Sequence, residues 1–299
     1  MKLGTMKRIF SSSNVLFPSA RYAATKPTLT AALFSTNTGE TLVQTAVDEK
    51  NRVATLTLNR PPVNSLSLEL CQAISSNIKE LEQNYPKVQG LVLNSSVGSI
   101  LSAGLDLTEM YNPDPVRLPE FWRSFQQVYL DLYGSRFACI AAIEGHAPAA
   151  GCMLVMACDY RIMAAGKGTV GLNESKFGIV APPFLGQLMI STIGQRQAEK
   201  ALALGTLFSP VEALDIGLVD EVVAKEEVMP RAMEEASKWA KIPPFARVSS
   251  KMLARKQFLA QLVATRDQDT DDFCAFVQTE GVQQALKLYL EQLKQKPGK

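Results

Sequence analysis

Two spacings of hydrophobic residues alternate along the chain, and together they predict a mixed α/β fold. Residues 53–58 (VATLTL) are typical of a strand, which the turn NRPP ends. Apolar residues then recur every three or four positions, which predicts one buried face of a helix. Those positions are Leu66, Leu70, Ile74, Ile78 and Leu81. We interpret this face as core packing.

Later strands are apolar throughout their length rather than at every second position. We expect strands at residues 90–96, 139–145 and 159–165, with helices at 117–134 and 152–158 between them. Strands buried on both faces read as continuous apolar runs, so the order of elements favours an α/β fold with a covered sheet. After Leu185 the pattern is almost entirely helical, and three or four amphipathic helices are expected after about residue 228.

The first 39 residues differ in composition from the rest of the chain. They contain five basic residues, eleven Ser or Thr, and no acid before Glu40. This composition is typical of a mitochondrial transit peptide; an unstructured tail without a targeting role is the alternative. We expect residues 1–39 to be this leader, cleaved between Arg21 and Asn37, and the protein to act in the mitochondrial matrix.

Charge and residue counts exclude several classes of function. After residue 39 the chain carries 26 basic and 29 acidic side chains, which makes nucleic-acid binding unexpected. The sequence has no uncharged apolar run of 18 residues, so no membrane span is predicted. One histidine, His146, and five scattered cysteines predict neither a metal site nor a redox motif.

A glycine motif at residues 166–171 (GKGTVG) has the spacing of a dinucleotide-binding loop. That function also needs a helix starting at the third glycine and an acid about twenty residues later. Pro182 and Pro183 prevent such a helix, and residue 191 is serine. A surface hairpin or loop is the better interpretation.

Three other segments together suggest acyl chemistry. SAGLDL (102–107) follows a buried strand, and HAPAAG (146–151) leads into an apolar helix whose first N–H groups have no internal acceptor. Two such amides can form an oxyanion hole. Glu174 lies alone in an apolar segment, where burial would raise its pKa and make it a general base. Each segment alone also has a structural explanation: a turn, a packed helix or a partly solvated acid.

These segments, in this order, resemble the crotonase (enoyl-CoA hydratase/isomerase) superfamily over roughly residues 45–295. The quoted stretches are SAGLDLTEM, IEGHAPAAGCMLVMACDYRIMA and GLNESKFGIVAP. The resemblance implies a spiral of β-β-α turns over residues 40–240, with a helical region at 241–299 that completes the site or contacts a neighbour. It also implies a homotrimer.

Site residues follow from the same resemblance. Glu174 would be the catalytic base, and the backbone N–H groups of Leu105 and Ala150 would form the oxyanion hole. Substrate would contact Leu105 and Ala150 together with five other residues: Ala103, Gly104, Asp106, Leu107 and Asn173. No metal or separate cofactor is implied, because coenzyme A is part of the acyl-CoA thioester substrate. Ala149 and Ala150 replace glycines usual in the family.

Methionine at position 153 indicates which reaction to expect. Hydratases of the superfamily carry a glutamate there, and a thioether cannot titrate. One remaining carboxylate suits a 1,3 proton shift that converts a 3-cis- or 3-trans-enoyl-CoA to the 2-trans isomer, a step in the β-oxidation of unsaturated fatty acids. A hydratase using Asp106 as second acid is the first alternative. A catalytically silent scaffold or RNA-binding module is the second. Asp106 and Glu109 are expected to be structural.

The basic residues near the start of the C-terminal region could in principle contact the phosphates of coenzyme A. They are Arg247, Lys251, Arg255 and Lys256. A run of charges on one helix usually faces solvent, so we assign these four residues to a solvated face rather than to the site.

Overall fold

The computed structural model describes residues 41–295, with side chains described up to residue 293. The predicted leader and its cleavage point therefore lie outside the described residues. The strands are β1 (Val43–Asp48), β2 (Val53–Leu58), β3 (Gly90–Ser95), β4 (Ala138–Ile143), β5 (Ala147–Pro148), β6 (Tyr160–Ala164), β7 (Val170–Gly171) and β8 (Glu221–Val223). The helices are α1 (Leu68–Asn84), α2 (Arg117–Tyr133), α3 (Ala150–Ala157), α4 (Pro183–Ile193), α5 (Gln195–Leu204), α6 (Pro210–Asp215), α7 (Val228–Ala240), α8 (Pro244–Val277) and α9 (Glu280–Gln295).

The strands form two sheets whose order follows the chain as it winds. The larger sheet has the order β1-β2-β3-β4-β6-β8 and is parallel except for the β1–β2 hairpin. Between β4 and β6 the chain leaves this sheet to form β5, which pairs in parallel with β7 in a second, two-stranded sheet. The α/β prediction is confirmed, and the short strands of the second sheet lie beside the site described below.

Both faces of the larger sheet are covered, as the apolar strands predict. Leu91 and Leu93 of β3 pack into the main core, whereas Val92 between them packs into a second cluster on the opposite face. That second cluster includes Val228 and Ala232 of α7. Side chains of alternate strand residues point to opposite faces, so this division is what a doubly covered sheet requires.

Helix boundaries differ from the predicted ones by a few residues. The stripe beginning at Leu66 lies mostly on α1, which starts only at Leu68 because the Ser67 side chain accepts a hydrogen bond from the Leu70 amide and caps it. The helix predicted at 152–158 begins two residues earlier, at Ala150. Residues 166–169 form a loop leading into β7, the buried strand Val170–Gly171, and no helix opens at Gly171.

The expectation that the α8 cations face solvent was wrong for three of the four. Lys251 and Arg255 are mostly buried and form ion pairs of 2.8 and 3.0 Å with Asp159. Arg247 is also buried and donates to the carbonyl oxygen of Arg136. The spacing of four places all three on one helix face, so they dock α8 onto the sheet domain. Lys256 alone is exposed.

The last three helices of the described chain are α7, α8 and α9, and α9 packs against the loops around Met110 and Phe177. Gln283 of α9 donates to the carbonyl oxygen of Met110 at 2.9 Å and accepts from the amide of Asn112. Tyr289 packs on Phe177 with ring centroids 4.4 Å apart. None of the helices in the described part of the chain is both long and apolar enough to cross a membrane.

Candidate active site

The turn after β3 presents the first amide of the site. The amide of Leu66 donates to the carbonyl oxygen of Gly104 at 2.8 Å, and the amide of Asp106 donates to that of Leu66 at 3.0 Å. These two bonds fix the backbone on either side of Leu105. The Leu105 amide itself donates to no other backbone group among the described residues. It is therefore available to a ligand.

The second amide belongs to Ala150, the first residue of α3. An amide at this position has no acceptor within its own helix, and the helix dipole gives it a partial positive charge. Ala149 before it adopts φ 51°, a left-handed conformation that turns the chain sharply into the helix. The sequence predicted the start of this helix two residues later and gave no sign of the left-handed turn at Ala149.

Close backbone packing brings the two turns together. Gly104 has φ +97°, and a Cβ added there would lie 3.1 Å from the Ala150 nitrogen. A Cβ added at Gly151 would lie 2.3 Å from the carbonyl oxygen of Ser102, closer than real contacts allow. Both glycines are needed for this approach. Leu105 and Ala150 consequently border one cavity.

Glu174 opens a 3-10 turn, Glu174–Phe177, that faces the same cavity. Its side chain is buried, and Oε2 has no hydrogen-bond partner among the described residues. Burial raises the pKa of the carboxyl from 4.5 to about 7, against a smaller lowering by a backbone hydrogen bond within the residue. A carboxyl with this pKa can exchange protons near neutral pH.

The cavity has a volume of about 340 Å³ and is largely apolar. Its walls include six of the seven predicted substrate-contacting residues, together with Glu174. Those six are Ala103, Leu105, Asp106, Leu107, Ala150 and Asn173. Gly104 is not a wall residue; it packs behind the turn against Ala149. Asn173 contributes a buried Oδ1 that has no partner in the described part of the chain.

Asp106 shares the cavity wall but is committed to other contacts. Its carboxylate forms a 2.7 Å ion pair with Arg60 and accepts hydrogen bonds from the amide and hydroxyl of Thr108. Burial alone would raise its pKa, but these hydrogen bonds and the Arg60 charge together hold the pKa below its ordinary value. Asp106 is therefore an unfavourable base at neutral pH.

Two further positions decide whether the site has a second acid: Glu109, and Met153, where hydratases carry a glutamate. Glu109 accepts hydrogen bonds from the amide of Leu68 and from Arg117, so it joins α1 to α2. Met153 is fully buried in α3 and lines neither this cavity nor the smaller one that adjoins it. Within residues 41–293 no three His, Cys, Asp or Glu side chains are grouped so as to hold a metal ion.

Much of the cavity wall comes from residues that sequence reasoning did not assign to the site. Met110 and Ile179 border it from loops, and Leu286, Tyr289 and Leu293 border it from α9. The α9 residues were visible in the sequence only as the apolar face of an amphipathic helix. Nothing in that pattern distinguishes a face covering a substrate cavity from one covering core.

Known proteins resemble this chain over most of its length. A family profile described as "Enoyl-CoA hydratase/isomerase" matches residues 48–297. "Enoyl-CoA delta isomerase 1, mitochondrial" of Mus musculus is 45% identical over 247 residues, 82% of this chain and 85% of the mouse protein. The Homo sapiens protein of the same name is 41% identical and is covered to 82% of its length.

A solved structure resembles the whole fold. The crystal structure of human mitochondrial delta3-delta2-enoyl-CoA isomerase superimposes with a TM-score of 0.84 at 40% identity, covering 86% of this chain and all of the human one. The sheet spiral and C-terminal helices thus define a protein of the crotonase fold class. The chain belongs to the enoyl-CoA hydratase/isomerase family.

Proposed function

We propose that this protein is an isomerase that moves the double bond of a 3-cis- or 3-trans-enoyl-CoA to the 2-trans position, in the β-oxidation of unsaturated fatty acids. The relatives named as enoyl-CoA delta isomerases support this activity over others of the family. The observation that carries the proposal is the lone available carboxyl. Of the two acids among the described cavity residues, Asp106 is ion-paired and Glu174 is free.

In the proposed mechanism the thioester oxygen accepts hydrogen bonds from the amides of Leu105 and Ala150. Glu174 removes a proton from C2, which the thioester and the neighbouring double bond both activate. The negative charge passes to the thioester oxygen in a dienolate, where each amide contributes about 3 kcal/mol of transition-state stabilisation. Glu174 then returns the proton at C4, and the double bond lies between C2 and C3.

Asn173 orients the substrate in this mechanism. Its unpartnered Oδ1 lines the cavity beside the base. A buried acceptor without a partner costs free energy, which a donor group on the substrate would recover. The substrate is an acyl-CoA thioester, and the proposal requires neither a separate cofactor nor a metal.

Hydration, the other activity of the family, would need a second carboxyl to activate water. Asp106 is held by Arg60, and Met153 has no titratable group. We therefore place isomerisation before hydration. A silent scaffold or an RNA-binding module would have no use for a desolvated, unpaired glutamate, whose burial destabilises the fold.

The full chain should be incubated with trans-3-hexenoyl-CoA while absorbance of the conjugated 2-enoyl thioester is followed. We expect turnover, and a loss of at least about a hundredfold in Glu174→Gln, because positioned general bases contribute about 10²–10⁴. Glu49→Gln, on the exposed β1–β2 turn, is the matched control. Turnover retained by Glu174→Gln would contradict the one-base mechanism. Hydration of 2-hexenoyl-CoA without isomerisation would indicate a hydratase, and salt-sensitive RNA binding without either activity would indicate the module.

We also propose that the protein is a homotrimer of the mitochondrial matrix. The family resemblance supports the trimer. Phe245, Leu253 and Val263, large apolar side chains left exposed on α8, support contact between subunits without fixing their number. Light scattering should give three times the 32.6 kDa chain mass; the monomer mass would contradict this.

The acid-free leader and the relatives named as mitochondrial support the location, and import of the chain into isolated mitochondria would test it.

A further inference from the structure

A second, smaller cavity adjoins the main one beyond Glu174. Its volume is about 40 Å³, and Leu105, Ala150 and Glu174 line both cavities. The remaining walls of the small cavity are almost wholly aliphatic or aromatic. A ligand whose carbonyl oxygen lies at the two amides could therefore extend its apolar end past Glu174 into this space.

Two stacked rings form part of the wall of the small cavity. Trp122 of α2 and Phe273 of α8 stack with centroids 3.5 Å apart and planes 8° from parallel. The indole N–H of Trp122 donates to Oδ2 of Asp269 at 2.8 Å, and Gln126 donates to the same oxygen at 2.7 Å. The Asp269 carboxylate on α8 thus fixes the edge of the Trp122 indole, and Phe273 covers the face of the same ring. Such doubly fixed rings form a rigid wall.

We propose that Trp122 and Phe273 form the terminal wall of the acyl site, and that Asp269 is the positioning residue that keeps this wall in place. The wall limits efficient binding to acyl chains of roughly eight carbons. About 40 Å³ holds about three to four groups of water or methylene size, and these add to the four reacting carbons. This inference rests on the proposed function, since it takes an acyl-CoA as the ligand of the cavity.

Binding of saturated acyl-CoAs tests the wall without requiring catalysis. Calorimetry on the full chain should compare hexanoyl-, octanoyl-, decanoyl- and dodecanoyl-CoA. Each methylene that enters an apolar site improves affinity by about fourfold. We expect this gain up to roughly eight carbons in the wild-type protein and no further gain to twelve.

Variants then separate the wall from general packing. Phe273→Leu should lower the Kd for dodecanoyl-CoA relative to octanoyl-CoA by at least about tenfold, the gain expected for two further methylenes. Phe258→Leu is the matched control, since Phe258 is also half-buried on α8 but borders neither cavity. Asp269→Ala should change the ratio in the same direction, and Asp269→Asn, which keeps an acceptor oxygen, should restore it.

The outcomes distinguish the wall from the reaction. Affinity rising steadily to twelve carbons in the wild type, or the same chain-length profile in Phe273→Leu and Phe258→Leu, would overturn the wall. Absence of acyl-CoA binding would overturn both proposals. Chain-length selection that depends on Phe273, without turnover of trans-3-octenoyl-CoA, would overturn the isomerase and leave the wall standing.

Discussion

Replacing Glu174 by glutamine should raise the free energy of unfolding relative to wild type by an amount that grows with pH. The wild-type carboxyl is buried with Oε2 unpartnered, and burial raises its pKa from 4.5 to about 7. Ionising it in the folded protein is therefore less favourable than ionising it in the unfolded chain. Glutamine keeps the shape of the side chain and cannot ionise, so the variant lacks this destabilising contribution.

The sign and size follow from proton linkage. Between pH 4.5 and about 7 the folded wild type retains a proton that the unfolded chain has lost, so its free energy of unfolding falls as pH rises. A tenfold change in a protonation equilibrium is worth about 1.4 kcal/mol. The stability lost through this group is therefore about 1 kcal/mol at pH 5 and about 3 kcal/mol at pH 8, and it stays constant above that.

The difference between the two proteins must be read as a function of pH. A glutamine amide at this site would also lack partners, which adds a pH-independent cost on the order of 1–3 kcal/mol. Urea unfolding at fixed protein concentration, at pH 5, 6, 7 and 8, should show the variant gaining about 2 kcal/mol relative to wild type across the series. Glu49→Gln should show no such trend.

A difference between wild type and Glu174→Gln that stays constant from pH 5 to pH 8 would refute the reasoning. It would mean that the folded and unfolded carboxyls titrate alike, and that the site is wetter than its burial indicates. The base would then have an ordinary carboxyl pKa, and the proposed proton transfer would lose its energetic basis.

Three further predictions concern catalysis and stability. The kcat/KM for a 3-enoyl-CoA, measured between pH 5.5 and 8.5, should rise through a midpoint near pH 7, because only ionised Glu174 accepts the C2 proton; a flat profile would contradict this. In Gly151→Ala the new Cβ would lie 2.3 Å from the Ser102 oxygen, so the free energy of unfolding, measured by thermal unfolding, should fall by about 1–3 kcal/mol. The displaced α3 amide should also lower kcat at least about tenfold, and a wild-type kcat would mean that the amide is not used. Asp159→Asn leaves two largely buried α8 cations without their carboxylate, so the free energy of unfolding in urea should fall by about 3 kcal/mol. Asp267→Asn, in an exposed pair, should lower it by less than about 1 kcal/mol, and equal losses would contradict the docking role of Asp159.

Local patterns in the sequence predicted the elements that carry the two amides and the base. The turns around Leu105 and Ala150 follow from apolar runs that end in small residues, and Glu174 is conspicuous because it is the one acid in residues 167–184. These signals depend on a few consecutive residues. Physical rules of strand burial and helix termini are enough to interpret them.

Pairings between distant segments were not predictable in the same way. Asp269 and Trp122 are 147 residues apart, yet one hydrogen bond between them positions the wall of the small cavity. Asp159 lies 92 residues from Lys251, and their ion pair reversed the expectation of a solvated helix face. A charge pattern on one helix has the same spacing whether it meets water or a buried carboxylate, so the sequence could not decide between them.

The two carboxyls of the cavity differ in what they contribute: Asp106 stabilises the fold, whereas Glu174 serves the proposed reaction. Asp106, paired with Arg60, remains ionised and stabilises its turn, but a carboxylate held at low pKa is a poor proton acceptor. Glu174 has no such partner, so it destabilises the fold by about 3 kcal/mol above neutral pH. Since the efficiency of a general base increases as its pKa approaches the working pH, that same free energy is what makes Glu174 effective. A cation placed beside Glu174 would therefore stabilise the protein and slow the reaction together. A chain that keeps its base unpaired must obtain its stability elsewhere, and the two apolar clusters that cover the sheet provide it.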